Sequence, residues 1–288
     1  MGHLPTLRYH HTMIRQFRTL AAALLVLCTT SHVGRAETTE VDAELFLAVD
    51  VSRSMSEREL EIQRRGYAEA LVSEPVLAAI KNGPLGQIAV TFVEWGGAHF
   101  QRIVVDWTLI DDIDDLRDVA TRLTTQFDGA LRRTSISGVL DHATKSFETN
   151  TFSSNRKIID ISGDGPNNQG RAVLDARSDA LAEGITINGL PLMTKEGVGL
   201  AFHLDDLDEY YRNCVIGGSG AFVIPVRKWE EFTETVRRKL VLELAAHPQT
   251  PRITRVNFKG GGDGPYDCFV GEKIWQNFID SSPFRNLP

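Results

Sequence analysis

The stretch from Ala43 to Glu59 constrains this chain more than any other. Ala43 to Val49 (Ala-Glu-Leu-Phe-Leu-Ala-Val) is an apolar run of strand length without glycine or proline. Asp50-Val51-Ser52-Arg53-Ser54 follows, and Ser56 with Glu59 has the capping-box spacing that opens a helix. One Asp and two Ser therefore occupy a strand-to-helix turn, where open α/β sheets place their ligands. Alternate residues of extended backbone point the same way, so Asp50, Ser52 and Ser54 aim three oxygens at a common point. Such hard oxygens suit a hard divalent cation such as Mg²⁺. A serine-rich turn that merely caps its helix has the same local pattern.

The rest of the chain supplies the alternation that decides fold class. Helices are expected at 56–72, 75–80, 111–123, 135–147, 173–183, 204–213 and 229–244, and strands at 88–95, 102–108, 156–162, 186–193 and 221–226. Helix signals include Pro75 in a first turn and Gly184 just past a last one. Strands and helices alternate with a single hairpin, Ile88–Trp95 to Arg102–Thr108. This predicts a doubly wound, mostly parallel sheet with one antiparallel edge hairpin and helices on both faces. Asp111, Asp112, Asp114, Asp115 and Asp118 read as an acidic helix start, favoured by the helix dipole, rather than as a Ca²⁺ loop. From about Ala245 the periodicity stops, and residues 247–288 show no clear element.

Two further stretches fall at comparable places. Arg133-Thr134-Ser135-Ile136-Ser137-Gly138-Val139-Leu140 puts a threonine just before a helix start. Ile158-Ile159-Asp160-Ile161-Ser162-Gly163-Asp164-Gly165 puts an aspartate at a strand end between two glycines. With Asp50-x-Ser52-x-Ser54, these resemble in order the three elements of the metal-ion-dependent adhesion site of the von Willebrand factor type A family. The resemblance covers about residues 41–244. Gly163 to Arg171 and Val215 to Val226 are similar to an uncharacterised bacterial branch of that family. It implies a Rossmann-like fold and a divalent cation, Mg²⁺ or else Mn²⁺ or Ca²⁺, held by Asp50, Ser52, Ser54, Thr134 and Asp164. It also implies an open coordination position that accepts a partner's Asp or Glu carboxylate. Ser135 stands where many relatives carry Asn, and Ser162-Gly163 replaces a more usual Thr; neither change removes an expected ligand. Asp160 is left out of the set.

The N-terminus reads as an export signal over residues 1–36, of which 1–12 look like an extension. Arg15 and Arg18 precede the apolar Leu20 to Leu27, and Gly34-Arg35-Ala36 suits cleavage after Ala36. A Sec-type signal predicts a periplasmic or secreted protein without stable membrane insertion. The formal net charge of −7 argues against nucleic acid or anionic lipid as a partner. The chain lacks the His-Glu-x-x-His, Gly-x-Ser-x-Gly and phosphate-loop patterns. The expected function is a non-enzymatic, metal-dependent protein-binding module. A metal-dependent hydrolase using the same site, and a structural domain with an empty site, are the alternatives. Cys214 and Cys268, the two cysteines beyond the signal, are expected to pair and tie the tail to the domain.

Overall fold

Strand β1 (Thr39–Glu40) is short, and β2 (Glu44–Asp50) is the apolar run that ends at the acidic turn. Every residue of β2 is buried, because its side chains enter two different cores. Leu45, Leu47 and Val49 pack on one face of the sheet, Phe46 and Ala48 on the other. A strand apolar on both faces belongs in mid-sheet with helices on either side. The remaining strands are β3 (Ile88–Trp95), β4 (Gln101–Ile110), β5 (Phe152–Ser153), β6 (Lys157–Gly163) and β7 (Thr186–Pro191). In the computed structural model the main sheet runs β4-β3-β2-β6-β7, parallel throughout except for the β3–β4 hairpin, while β1 and β5 form a separate two-stranded ladder. The expected fold class is therefore the observed one.

The structure describes residues 1–2, 38–125, 129–194, 203–245 and 265–281. The chain divides into two units, Met1–Glu37 and Thr38–Pro288, and the second holds all the elements named here. Apart from Met1 and Gly2, the expected export signal lies outside the described residues.

Helices α1 (Glu57–Leu71), α2 (Glu74–Lys81) and α3 (Ile113–Thr125) cover the Leu45 face. α4 (Ile136–Thr149), α5 (Val173–Ala182) and α6 (Leu207–Tyr210, continued by a π turn over Tyr211–Val215) cover the other. α7 (Phe232–Leu244) returns to the first face, where Phe232, Val236 and Leu240 join the core. α1 starts as its capping box predicts, with the Ser56 N–H donating to Glu59 Oε2 at 2.7 Å. None of the described helices is long and apolar enough to cross a membrane.

Two expectations fail. Residues 221–226 form no strand; Val223 and Val226 make isolated bridges to Gly189 and Leu192. Left-handed turns at Gly218 (φ 95°) and Gly220 (φ 73°) precede them, and Pro225 has no N–H to donate to a ladder. The tail is not without structure either. α8 (Val270–Ser281) forms there, and Cys268 and Val270 pack into the second core. The Cys214–Cys268 disulfide anchors this segment (S–S 2.04 Å), as the two-cysteine count predicts. Close approach holds it too, since a Cβ on Gly271 would lie 2.0 Å from the Asn167 carbonyl oxygen.

Asp160 has a structural place. It is buried on β6 with its Oδ1 2.6 Å from Lys239 Nζ, and Lys239 also pairs with Glu243. Asn188 Nδ2 donates to Glu243 Oε1 at 2.9 Å and completes a buried polar cluster between β6, β7 and α7. Burial, then the charge of Asp160, push the Glu243 carboxyl up to about 7.

Candidate metal centre

Strand order sets the place of the site. β2 has β3 on one side and β6 on the other, and the chain visits the two sides in turn. The crevice outside the carboxyl ends of β2 and β6 is thus a topological switch point, where open sheets bind ligands. Asp50 is the last residue of β2, and Asp164 directly follows Gly163, the last of β6. Because Val49 pairs with Ser162, the two aspartates sit at nearly the same level of the sheet.

Four of the five residues expected at the site form one connected chain of contacts. The Ser52 N–H donates to Asp50 Oδ1 at 2.7 Å. Ser52 Oγ lies 2.9 Å from Ser54 Oγ, which donates to Asp164 Oδ1 at 2.9 Å. Thr134, the fifth, lines the same cavity of about 400 Å³ as Ser52, Ser54 and Asp164. Its loop is stitched to the one after Asp164: the Thr134 N–H donates to Asn168 Oδ1 at 3.1 Å, and the Asn168 N–H to the Thr134 carbonyl at 2.9 Å. Ser135 caps α4, its Oγ accepting from the Gly138 N–H and donating to the Gln169 carbonyl. The loops bearing Thr134 and Asp164 are therefore one rigid wall.

Asp50 itself is fully buried and is not among the residues that line the cavity. Its Oδ2 has no hydrogen-bond partner among the described residues. Burial, then the charge of Asp164, raise its carboxyl well above the ordinary carboxylate range. A Cβ at position 163 would lie 3.0 Å from Asp50 Oδ2 and 2.9 Å from Tyr211 Oη, so a larger residue there would press on both buried side chains. A buried carboxylate oxygen without a partner, a second carboxylate close by and hydroxyls between them form a donor set suited to a hard cation. The residues present fit such an ion.

The profile of a family described as "Protein of unknown function (DUF1194)" matches residues 40–248. The chain belongs to the DUF1194 family. No curated protein matches the sequence. Among solved structures, the pilus adhesin SpaC from Lactobacillus rhamnosus GG is similar to this DUF1194 protein with a TM-score of 0.53 at 11% identity, covering 72% of this chain and 31% of that one. Proximal thread matrix protein 1 from the mussel byssus is similar with a TM-score of 0.50 at 16% identity, covering 72% and 49%. A von Willebrand factor type A protein from Catenulispora acidiphila is similar with a TM-score of 0.50 at 14% identity, covering 71% and 43%. This DUF1194 protein has the von Willebrand factor type A fold. It spans between about a third and a half of the length of these three structures.

Sequence reasoning missed several residues at the site. His203 Nε2 lies 3.6 Å from Asp164 Oδ2, on a different segment of the chain. Asn168 secures Thr134, and Asn167 Oδ1 accepts the Ser137 N–H at 3.0 Å while its own N–H donates to Tyr210 Oη at 3.1 Å. The pair Asn167-Asn168 three residues after Asp164 was a visible signal, since Asn side chains bond neighbouring backbone. Nothing in the sequence pointed to Tyr211, whose hydroxyl comes close to Asp50 across Gly163. The exposed Asp111, Asp112 and half-buried Asp115 lie close together, but the carboxylates of Asp112 and Asp115 serve the start of α3. Asp112 Oδ1 accepts the Asp114 N–H at 2.7 Å, and Asp115 Oδ2 the Asp111 N–H at 2.9 Å.

Proposed function

We propose that this DUF1194 protein is an exported, metal-dependent interaction module, non-enzymatic, whose cation accepts a carboxylate from a protein partner. The buried Asp50 carboxylate behind a cavity wall of hydroxyls carries this reading. Ser52, Ser54, Thr134 and Asp164 would hold the ion with Asp50, directly or through water. Mg²⁺ is the leading candidate, with Mn²⁺ and Ca²⁺ as alternatives. A bound divalent cation supplies an electrophilic centre for an incoming anion. With hydroxyls and water in the inner shell and one or both carboxylates acting through water, the ion stays electrophilic, so a partner's Asp or Glu gains from completing the coordination. The protein side supplies rigidity: the Thr134 and Asp164 loops are cross-bonded, so little ordering is needed on binding.

Residues 1–36 are proposed to direct export, releasing a periplasmic or secreted protein that starts at Glu37. Its acidic composition disfavours nucleic acid and anionic membranes as partners. The test is calorimetric titration of Mg²⁺ and Mn²⁺ into the parent and Asp50→Asn proteins. Capture from envelope extract with and without EDTA follows, using the variant as control. Saturable binding of either metal, lost in the variant, together with EDTA-sensitive capture is expected. Metal-dependent turnover of phosphate or carboxylate esters, lost in the same variant, would favour the hydrolase reading, for which His203 beside Asp164 is a candidate base.

A further inference from the structure

The cavity beside the candidate metal centre carries charge that a cation and one carboxylate leave unused. Arg53, Arg132 and Arg133 line it together with His203 and Trp275. Among the described residues, no carboxylate pairs with any of these three arginines. Acids are plentiful in this chain, and elsewhere they are used: Arg171 meets Asp141 and Asp179, and Arg212 meets Asp208 and Glu209. Three guanidinium groups, none paired with a carboxylate among the described residues, share this lining with the single carboxylate of Asp164, so positive charge is in excess there.

Arg133 is built for contact. Its backbone lies in the left-handed region (φ 69°), a conformation that costs a side-chain-bearing residue about 1 kcal/mol and is found where function holds it. Its guanidinium carbon sits 3.3 Å from the centre of the Trp275 ring. Stacking occupies the face of the guanidinium and leaves its N–H edges to grip a carboxylate in a two-point contact. Trp275 is itself fixed in place. It belongs to α8, which is held by the Cys214–Cys268 bond, by the Gly271 contact and by Asn167 Nδ2 donating to Glu272 Oε1 at 2.7 Å. Gly165 and Pro166 complete the lining beside Trp275, a largely apolar surface suited to the methylene groups of an acidic side chain.

We propose that this cavity binds an acidic peptide through two carboxylates, one on the cation and the second on Arg133 and Arg132, with Trp275 as the wall between. The first contact rests on the function proposed above; the second rests on the arginines alone. A phosphate ion would satisfy the charge but leave the Trp275 and Pro166 surface uncovered.

The test uses Mn²⁺ alone and three amidated, acetylated peptides, Gly-Gly-Glu-Glu-Gly and its Glu-Gln and Gln-Gln forms. Binding is followed by the tryptophan indole N–H signals in NMR spectra. With Mg²⁺ present, the Glu-Glu peptide is expected to bind at least tenfold more tightly than the Glu-Gln form. Arg133→Gly should erase that preference while leaving the Mn²⁺ affinity as in the parent; glycine suits φ 69°, so the fold is preserved. Arg132→Gln should reduce the preference severalfold. Equal binding of the Glu-Glu and Glu-Gln peptides, or a preference that survives Arg133→Gly, overturns the proposal. So does inorganic phosphate binding as tightly as the Glu-Glu peptide. If Mn²⁺ binds and neither acidic peptide does, the two-carboxylate proposal falls and the metal centre stands. If Mn²⁺ fails to bind while the Arg133-dependent preference persists, the metal reading falls and the arginine subsite stands.

Discussion

Replacing Asp50 by Asn should stabilise the protein in EDTA and sharply reduce its response to metal. The substitution keeps the shape and the oxygen that accepts the Ser52 N–H at 2.7 Å, but removes the charge. Without a cation the carboxylate is a liability: it is fully buried, Oδ2 lacks a partner among the described residues, and Asp164 repels it. An unsatisfied buried polar atom costs about 1–3 kcal/mol and a charged one more, so exchanging the charge for a neutral amide should recover on the order of 1–3 kcal/mol. A domain of this size gains roughly 2–4 °C in Tm per kcal/mol, so the metal-free variant should melt about 2–12 °C above the metal-free parent. With Mg²⁺ at a hundred times its Kd the parent gains about 2.7 kcal/mol, or roughly 5–11 °C. Loss of a charged ligand should weaken the site at least about a hundredfold, which leaves the variant a shift of roughly 1–2 °C. Mg²⁺ should therefore raise the parent by roughly 4–9 °C more than the variant. Scanning calorimetry at neutral pH in both buffers decides it. Equal Mg²⁺ shifts in parent and variant would remove Asp50 from the metal set. A variant that melts below the parent in EDTA would make Asp50 a structural anchor instead.

Other outcomes follow from the rest of the fold. Converting both Cys214 and Cys268 to Ser should destabilise the protein by about 4 kcal/mol, the chain-entropy value for a loop of 54 residues, read as a lower midpoint in urea. An unchanged midpoint would show that the bond is not what holds the tail. Glu243, with its carboxyl pushed up to about 7, favours the protonated form when folded, so its contribution is fully present below about pH 4.5 and is lost as pH rises toward 7. Glu243→Gln should flatten the Tm profile across that window, and an identical slope in parent and variant would contradict the assignment. Gly163→Ala should weaken Mg²⁺ binding at least tenfold by pressing on Asp50 Oδ2 and Tyr211 Oη, checked by the same titration. Intact-mass analysis of exported protein should find Glu37 at the N-terminus, and a mass retaining residues 20–36 would contradict cleavage.

The core of the fold was legible because the apolar pattern of each strand is a local property. Ala43 to Val49 and Ile88 to Trp95 are apolar on both faces, and runs of that kind fit only mid-sheet positions between helix layers. The Ser56-Glu59 box was equally local and appears where the sequence places it. The strands expected over 43–49 and 156–162 run one residue further, to Asp50 and Gly163, and the acid-started helix begins at Ile113 rather than Asp111. The cysteine pair was legible by count. What lay beyond reach was decided by contacts between distant segments. Residues 221–226 have the composition of a strand, but glycine turns and Pro225 leave only isolated bridges. α8 carries its apolar residues at helical spacing, yet of its own residues only Gly271 is buried. Its position depends on the disulfide and on a close approach to Asn167, neither written in its own periodicity. The burial of Asp50, the Asp160–Lys239 pair and the meeting of Arg133 with Trp275 join residues from separate parts of the chain. The oxygens of the candidate site could be named from single stretches because each lies at the end of its own strand or the start of its own helix. Their surroundings, which decide charge and shape, exist only once the sheet has brought those ends together.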